Sequence, residues 1–521
     1  MNYIQTFWSG PGVRTGEELY GFTGGWLSAE YHWMSWALSV LQAHKIFGKV
    51  GLVTDGPGAE MLVGVLGLPY SRVSTALDGM SGRYPAGLWS MAKIYSYSLQ
   101  QEPFLHLDGD LILGAAPSDE WLGSPLVCQN IEKDLFFYRA TLDRINACFS
   151  YLPPPFGRSC YAGREIYSCN AGLFGGTAIA VIQDYCRAAF EFVEKNLSCL
   201  GEVQPNDLNF IYEQYLCYCI AKEKGVDVAA FLPEVVEDPL YKELVRFQDV
   251  PPAPLIHPVG GFKKLQWVCN SLAKRLRDEY PDSYYRIIES LRGVGTALRS
   301  RIYLGKMGDD GAGYERTEAA RAWLTRKYGS WDEASLAPQE RRSFEEVSRL
   351  ESASVRHARH LFGEGADLGM CERKEFEVYR GILNLFSLPP GERAECYFRW
   401  NPDALVVDVK RKWVNEKSNR IEDIISLNFN CGEDEEVLVS GKVVITPAAL
   451  QLSVSEYYLD ELDALIAEAC QEPRSLKDLL SELEECFDPE DIQRDYTAYS
   501  GLIEECVKRL LFAGVLVTSE H

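Results

Sequence analysis

FLHLDGDLIL, residues 104–113, sets Asp108 and Asp110 on either side of Gly109, between two apolar runs. Alternate residues of an extended chain point to the same side, so the two carboxylates repel one another. A divalent cation between them relieves the repulsion, because Mg²⁺ and Mn²⁺ prefer carboxylate oxygens. The other reading is a solvated turn after a core strand, since Asp and Gly favour turns. The D-x-D stretch alone does not separate the two.

Outward from this stretch, strand and helix signals alternate over residues 1–275. YIQTFW (3–8), VGLVTD (50–55), PYSRVST (69–75), PLVCQN (125–130), EIYSCNAGLFGG (165–176) and LIHP (255–258) read as strands. Helical runs fall between them, as at Ser28–Phe47 and Gly87–Gln100. Strands spaced by helices predict an α/β domain with a mostly parallel sheet covered on both faces. Ligands of such sheets bind beyond the carboxyl ends of the strands, and Asp108 and Asp110 lie at one such end. In GGWLSAEYHWMSWALS (24–39), helical spacing makes Trp33, Trp36, Ala37 and Val40 a buried face, with Trp26 the exception.

Composition narrows the partners. The chain has 521 residues and a net charge of −23, which argues against nucleic acid, because phosphate binding needs clustered Lys and Arg. No charged leader with an apolar core opens it, and no apolar span of about 18 residues occurs. The expected location is cytoplasmic, with no membrane contact. Fifteen cysteines without any C-x-x-C pair suit reduced thiols better than a disulfide or zinc framework.

Residues 276–390 read as a charged helical region punctuated by MGDDGAG (307–313), with His357 and His360 on a solvated face. Residues 391–521 read as α+β. AECYFRW (394–400), the turn NPD and ALVVDVK (404–410) predict one hairpin, and EEVLVSGKVVITP (435–447) a second. Three helices and a strand VLVTS follow, with Ser475 and Asp478 spaced as a helix cap.

A second polar cluster bears on the first. In LIHPVGGFKK (255–264), His257 ends an apolar strand, Gly260 and Gly261 follow, and Lys263 comes six residues after the histidine. A neutral imidazole can complete a metal shell begun by two carboxylates. The glycines let backbone N–H groups approach phosphate oxygens, and Lys263 can neutralise a diphosphate as a point charge.

D-x-D after a strand, with a later H-x-x-G-x-x-K, resembles the glycogenin-like retaining glycosyltransferases of the A-type fold. Lys93 and SCNAGLFGG, which carries Asn170, Ala171 and Gly172, match further family features in order. The resemblance spans residues 1–275. It implies that Asp108, Asp110 and His257 hold Mn²⁺ or Mg²⁺ on the diphosphate of a nucleotide sugar, most often UDP-linked. It places Lys93, Gly109, Gly172, Gly260 and Lys263 around that donor, Asn170 beside sugar and acceptor, and Tyr3, Thr54 and Asp55 toward base and ribose. The family's D-Q-D-x-L-N segment is here QPNDLN (204–209): Pro205 stands for the Gln, and Asn206 or Asp207 for the Asp. An inverting enzyme needs a carboxylate base near the acceptor, and Asp207 is the candidate.

Residues 431–521 resemble the winged-helix modules that capture leader peptides in ribosomal-peptide modification. They hold 21 acidic and 6 basic residues, a net of −15, which disfavours the rival reading as a DNA-binding winged helix. This resemblance implies a precursor peptide as acceptor. A structural C-terminal domain with a small-molecule or glycan acceptor, a nucleotidyltransferase, and a non-catalytic UDP-binding scaffold remain the alternatives.

Overall fold

The computed structural model describes residues 1–12, 16–237, 241–292, 314–330, 336–363, 365–414, 421–430, 441–448 and 453–519. They form two compact units. The first comprises Met1–Arg246, Ala253–Gly260 and Glu279–Val294; the second comprises Phe247–Pro252, Gly261–Asp278 and Gly295–His521.

The first unit is built on a seven-stranded, mostly parallel sheet flanked by helices. Its strands are β1 (Asn2–Thr6), β2 (Gly51–Val53), β3 (Arg72–Ser74), β4 (Phe104–Leu107), β6 (Leu126–Cys128), β9 (Leu173–Gly176) and β10 (Val228–Ala230), in the order β10-β6-β9-β4-β1-β2-β3. Only β9 runs against its neighbours β4 and β6. FGG in β9 explains the fit: a Cβ at Gly175 would lie 2.0 Å from the Phe104 carbonyl oxygen, so only glycine lets the strand wedge between the other two. Two strand pairs lie outside this sheet. β5 (Ile112–Leu113) pairs with β11 (Leu255–Ile256), and β7 (Ile131–Lys133) with β8 (Tyr167–Cys169).

Helix Ala29–Phe47 carries the aromatic run and buries Trp33, Trp36, Ala37 and Val40, as its spacing predicts. Trp26 is buried as well, contrary to expectation. Helix Pro205–Phe210 continues through a π-turn, Ile211–Tyr215, into helix Leu216–Glu223.

The second unit joins the expected helical region to the C-terminal segment. Helices Glu315–Tyr328 and Pro338–Phe362 share one core with β13 (Leu405–Asp408), β14 (Lys442–Ala448) and β15 (Ser453–Tyr458). Arg316 ties these parts together, bonding Glu351 at 3.0 Å and Glu456 at 2.6 Å. The boundary drawn at 390 is therefore corrected: the elements on its two sides bury one another's apolar faces. The boundary at 275 falls inside helix Gln266–Glu279.

The hairpin expected across NPD does not form. β12 (Tyr397–Trp400) pairs with β16 (Arg474–Ser475) and β17 (Leu516–Ser519), whereas β13 pairs with β14 in another sheet. Asn401 is drawn to the C-terminal end instead: its N–H donates to the Val515 carbonyl and its side chain to the Gly514 carbonyl. KVVITP becomes β14, the central strand of β13-β14-β15. The other arm of the second expected hairpin (435–440) and MGDDGAG (307–313) lie outside the described residues. The cap at Ser475 is present, with reciprocal bonds to Asp478.

Candidate metal centre

The site begins at the carboxyl end of β4. Asp108 donates its backbone N–H to Gly172 O at 2.9 Å, and Leu111 N–H turns back to Asp108 O at 3.1 Å. Ser39 pins this turn by donating to the Asp108 carbonyl (3.1 Å) and the Leu111 carbonyl (2.5 Å). The chain then enters β5, where Ile112 pairs with Ile256 and Leu113 with Leu255. That antiparallel register carries the next residue, His257, to Asp110. Ligand atoms of Asp108, Asp110 and His257 all lie within 4.8 Å of one another.

His257 is oriented from behind. Its Nδ1 lies 2.6 Å from Gln129 Oε1, while Gln129 Nε2 donates to Asn130 Oδ1 at 3.1 Å. The amide oxygen thus accepts the Nδ1 proton and leaves Nε2 facing Asp110 Oδ1 at 3.2 Å. A neutral imidazole held in this way offers its Nε2 lone pair to a cation shared with Asp110. Outer hydrogen bonds of this type fix the tautomer of metal-binding histidines. Gly172 leaves room for the pair: a Cβ there would sit 2.2 Å from Gln129 Oε1 and 2.6 Å from His257 Cε1. The donor set, two carboxylates and one imidazole, suits Mn²⁺ or Mg²⁺.

Lys93 approaches from helix Met91–Ser98. Its Nζ lies 2.8 Å from Asp108 Oδ1, 3.0 Å from Asp108 Oδ2 and 2.6 Å from Glu213 Oε1. Burial alone would lower the lysine pKa, but Asp108 and Glu213 outweigh it and hold it raised. Burial raises the Asp108 carboxyl above its ordinary value; Lys93 opposes this and Asp110 adds to it. Glu213 is pushed up to about 7 by burial, against the pull of Lys93. His106, 3.8 Å from Asp108, is held well below its usual value by burial and by Lys93.

The remaining expected residues each have local partners of their own. Gly109 backs against the Trp36 ring. Asn170 has its amide fully engaged: Oδ1 accepts from Gly172 N–H at 3.0 Å, and Nδ2 donates to Glu132 at 3.0 Å and to Tyr241 at 3.3 Å. Asp55 is used within the fold, accepting from Ser9 Oγ (2.6 Å), Ser9 N–H (3.1 Å) and Gly58 N–H (3.0 Å). Thr54 is buried at the end of β2.

Tyr3 is corrected outright. It stacks on Phe47 with ring centroids 3.8 Å apart. The β1–β4 register pairs Tyr3 with Leu105, three residues before Asp108, which is about 10 Å along the strand. The ring lies toward the wrong end of the sheet to meet a ligand at Asp108.

Asn206 is exposed and Asp207 half-buried in the first turn of helix Pro205–Phe210, and burial raises the Asp207 carboxyl. Asn209, unremarked in the sequence, clamps this helix to the segment before Lys93. It accepts from Ser90 Oγ at 2.8 Å and donates to the Gly87 carbonyl at 2.8 Å. Gly260 has φ +53 and ends the first unit; Lys263 lies in the short turn Gly260–Lys264 and belongs to the second.

Three further residues that build the centre went unread: Gln129, Glu132 and Glu213. Gln129 had a signal, since QN closes PLVCQN as DGD closes FLHL. Glu213 is a lone acid in the buried run IYEQY.

No helix among the described residues is long and apolar enough to cross a membrane. No curated protein and no solved structure matches the chain. The model of a family of unknown function, DUF6734, matches residues 1–290, more than half of the 521 residues, and the chain belongs to that family.

Proposed function

We propose that the protein is a metal-dependent glycosyltransferase that moves a sugar from a UDP-sugar to an acceptor, with an A-type glycosyltransferase fold in its first unit. The observation that carries this reading is the convergence of Asp108, Asp110 and His257 at the carboxyl end of a mostly parallel sheet. When bound, Mn²⁺ or Mg²⁺ would supply Lewis-acid stabilisation of a leaving diphosphate. Asp108, Asp110 and His257 hold the ion, Gln129 keeps the His257 lone pair turned inward, and Lys93 fixes the Asp108 carboxylate. Asp207, in the first turn of helix Pro205–Phe210, is the candidate base for the case in which the reaction inverts.

The acceptor proposed is a ribosomally made peptide gripped by a winged-helix-like module in residues 431–521. Support comes from the net charge of −15 there and from exposed Leu465, Leu502 and Tyr496. A basic, partly apolar segment would meet both features, and its binding would weaken with salt. Deleting residues 431–521 is no clean test, because β14 and β17 belong to sheets begun earlier in the chain. Leu502→Asp on the surface of helix Tyr496–Phe512 is the better probe.

The test incubates the full chain with Mn²⁺ and a panel of UDP-sugars and identifies the nucleotide released. UDP formation that stops in EDTA and in Asp110→Asn is expected. Pyrophosphate from a nucleoside triphosphate and a sugar phosphate would mark a nucleotidyltransferase, and UDP binding without turnover a scaffold. Undiminished activity in EDTA would overturn the reading.

A further inference from the structure

Gln129 can meet His257 in two ways. With Oε1 forward, as it stands at 2.6 Å, it accepts the Nδ1 proton and leaves Nε2 bare. With the amide turned over, its N–H would donate to Nδ1, and the ring proton would sit on Nε2, facing Asp110 Oδ1 at 3.2 Å. That second arrangement also makes two hydrogen bonds, but its Nε2 has no lone pair to give a cation. The ring and Asp110 do not choose the first arrangement, so the amide must be held from behind.

Behind it runs a chain of polar side chains that ends on a buried carboxylate. Gln129 Nε2 donates to Asn130 Oδ1 at 3.1 Å. Asn130 Nδ2 donates to the Tyr241 hydroxyl oxygen and to the Ile131 carbonyl, both at 3.3 Å. The Tyr241 hydroxyl donates to Glu132 Oε1. A carboxylate only accepts, so the hydroxyl proton points at Glu132 and its oxygen is left to accept from Asn130. Each bond then dictates the next, and Gln129 Oε1 comes out facing His257.

The far end of the chain is fixed independently. Glu132 Oε1 also accepts from Asn170 Nδ2 at 3.0 Å, and the Asn170 amide cannot turn over, because its Oδ1 takes the Gly172 N–H at 3.0 Å. Gln129, Asn130, Glu132, Asn170 and Tyr241 are all buried, where a mismatched polar pair is costly. Among the described residues, only Tyr241 and Asp134 combine a side chain with positive φ, +50 at Tyr241. Backbone strain of this kind persists where the surroundings enforce it and clusters at functional sites.

We infer that Glu132 and Tyr241 are positioning residues that fix the tautomer of His257: acting through Asn130 and Gln129, they keep its proton on Nδ1 and its Nε2 lone pair free for a cation. The inference rests on the metal reading for its purpose, but the tautomer is a property of the metal-free chain and is read there.

The experiment labels histidine with ¹⁵N and records NMR spectra of the full-length, metal-free chain in alkaline buffer, where imidazole is neutral. His257→Gln identifies the His257 signals. The parent should carry the proton on Nδ1 alone. Tyr241→Phe keeps the aromatic ring and removes the hydroxyl, so the Asn130 and Gln129 amides lose their fixed end. His257 should then become a mixture of both tautomers, and Mn²⁺ affinity by calorimetry should fall about 10- to 100-fold. Glu132→Gln keeps an acceptor oxygen opposite Asn170 Nδ2 and Tyr241, and should keep the parent tautomer. A purely structural role for the network predicts the Nδ1–H form alone in Tyr241→Phe. That result, a mixed ring in Glu132→Gln, or a parent ring protonated at Nε2 overturns the inference. If Tyr241→Phe does not fold, Asn130→Ala takes its place and is read in the same way; the parent spectrum needs no variant. A parent that shows the Nδ1–H form but binds no Mn²⁺ removes the metal reading alone and leaves the tautomer control standing.

Discussion

Gln129 Oε1 lies 2.6 Å from Nδ1 of His257, 128 residues further along the chain. This contact selects which imidazole nitrogen faces Asp110. Gln129→Leu removes the acceptor and frees the ring to turn. Mn²⁺ affinity should drop about 10- to 100-fold, read by calorimetry, with the sheet intact by circular dichroism. Unaltered affinity would show that Gln129 does not orient His257 for a cation.

Gly172→Ala tests the space behind the ring. The new methyl would lie 2.6 Å from His257 Cε1 and 2.2 Å from Gln129 Oε1, so the pair must part. The expected result is loss of Mn²⁺-induced stabilisation in a thermal melt. The parent should gain about 2.7 kcal/mol with the ion at 100 times its Kd.

Asp110→Asn separates two effects of one carboxylate. Repulsion from Asp110 adds to the raised pKa of Asp108, so removing that charge should leave the metal-free protein as stable as the parent or more so. The same variant should lose its response to Mn²⁺. A metal-free melt well below that of the parent would contradict this reading.

Glu213 gives a pH dependence whose sign is fixed. Its pKa rises from 4.5 in the unfolded chain to about 7 in the fold, so the folded state holds the extra proton between these values. Its contribution to stability is full below 4.5 and lost as pH rises through about 7. Denaturant melts of the metal-free parent from pH 4.5 to 8 should show this fall. In Glu213→Gln the component should vanish; an unchanged slope would assign it to other groups.

Arg316 makes the equivalent test in the second unit. It bonds Glu351 and Glu456 and donates to the Trp413 carbonyl at 3.2 Å. Arg316→Leu leaves two mostly buried acids without their cation, a change that destabilises by about 3–5 kcal/mol. Hydrogen exchange should speed up in helices Glu315–Tyr328 and Pro338–Phe362; unchanged exchange there would refute the assignment.

Much of the first unit was legible because buried parallel strands are short apolar runs ended by polar residues. FLHL before DGD and LI before HP both stand out, and the register of β5 with β11 then joins them. Gln129 and Glu213 escaped because each acts through one side-chain pair bridging more than a hundred residues. Tyr3 was misplaced because a strand shows its alternation but not which end bears the site. In the second unit the NPD turn was a local signal overridden by tertiary pairing: β12 is claimed by β17, and Asn401 is bonded to Gly514 and Val515.

β9 lies between β4 and β6, both of which precede it in the chain. During synthesis the two earlier strands emerge as neighbours in sequence that must stay apart in space. Their mutual pairing would close the slot that Gly175 and Gly176 are built to enter. The slot between them has to stay free until β9 begins at Leu173, 45 residues after β6 ends at Cys128. His257 arrives later still, 147 residues after Asp110. Until then a nascent chain presents paired acids with no imidazole opposite them. Contacts of such long sequence separation form slowly, so the Asp108–Asp110–His257 cluster is among the last parts of the first unit that translation can complete.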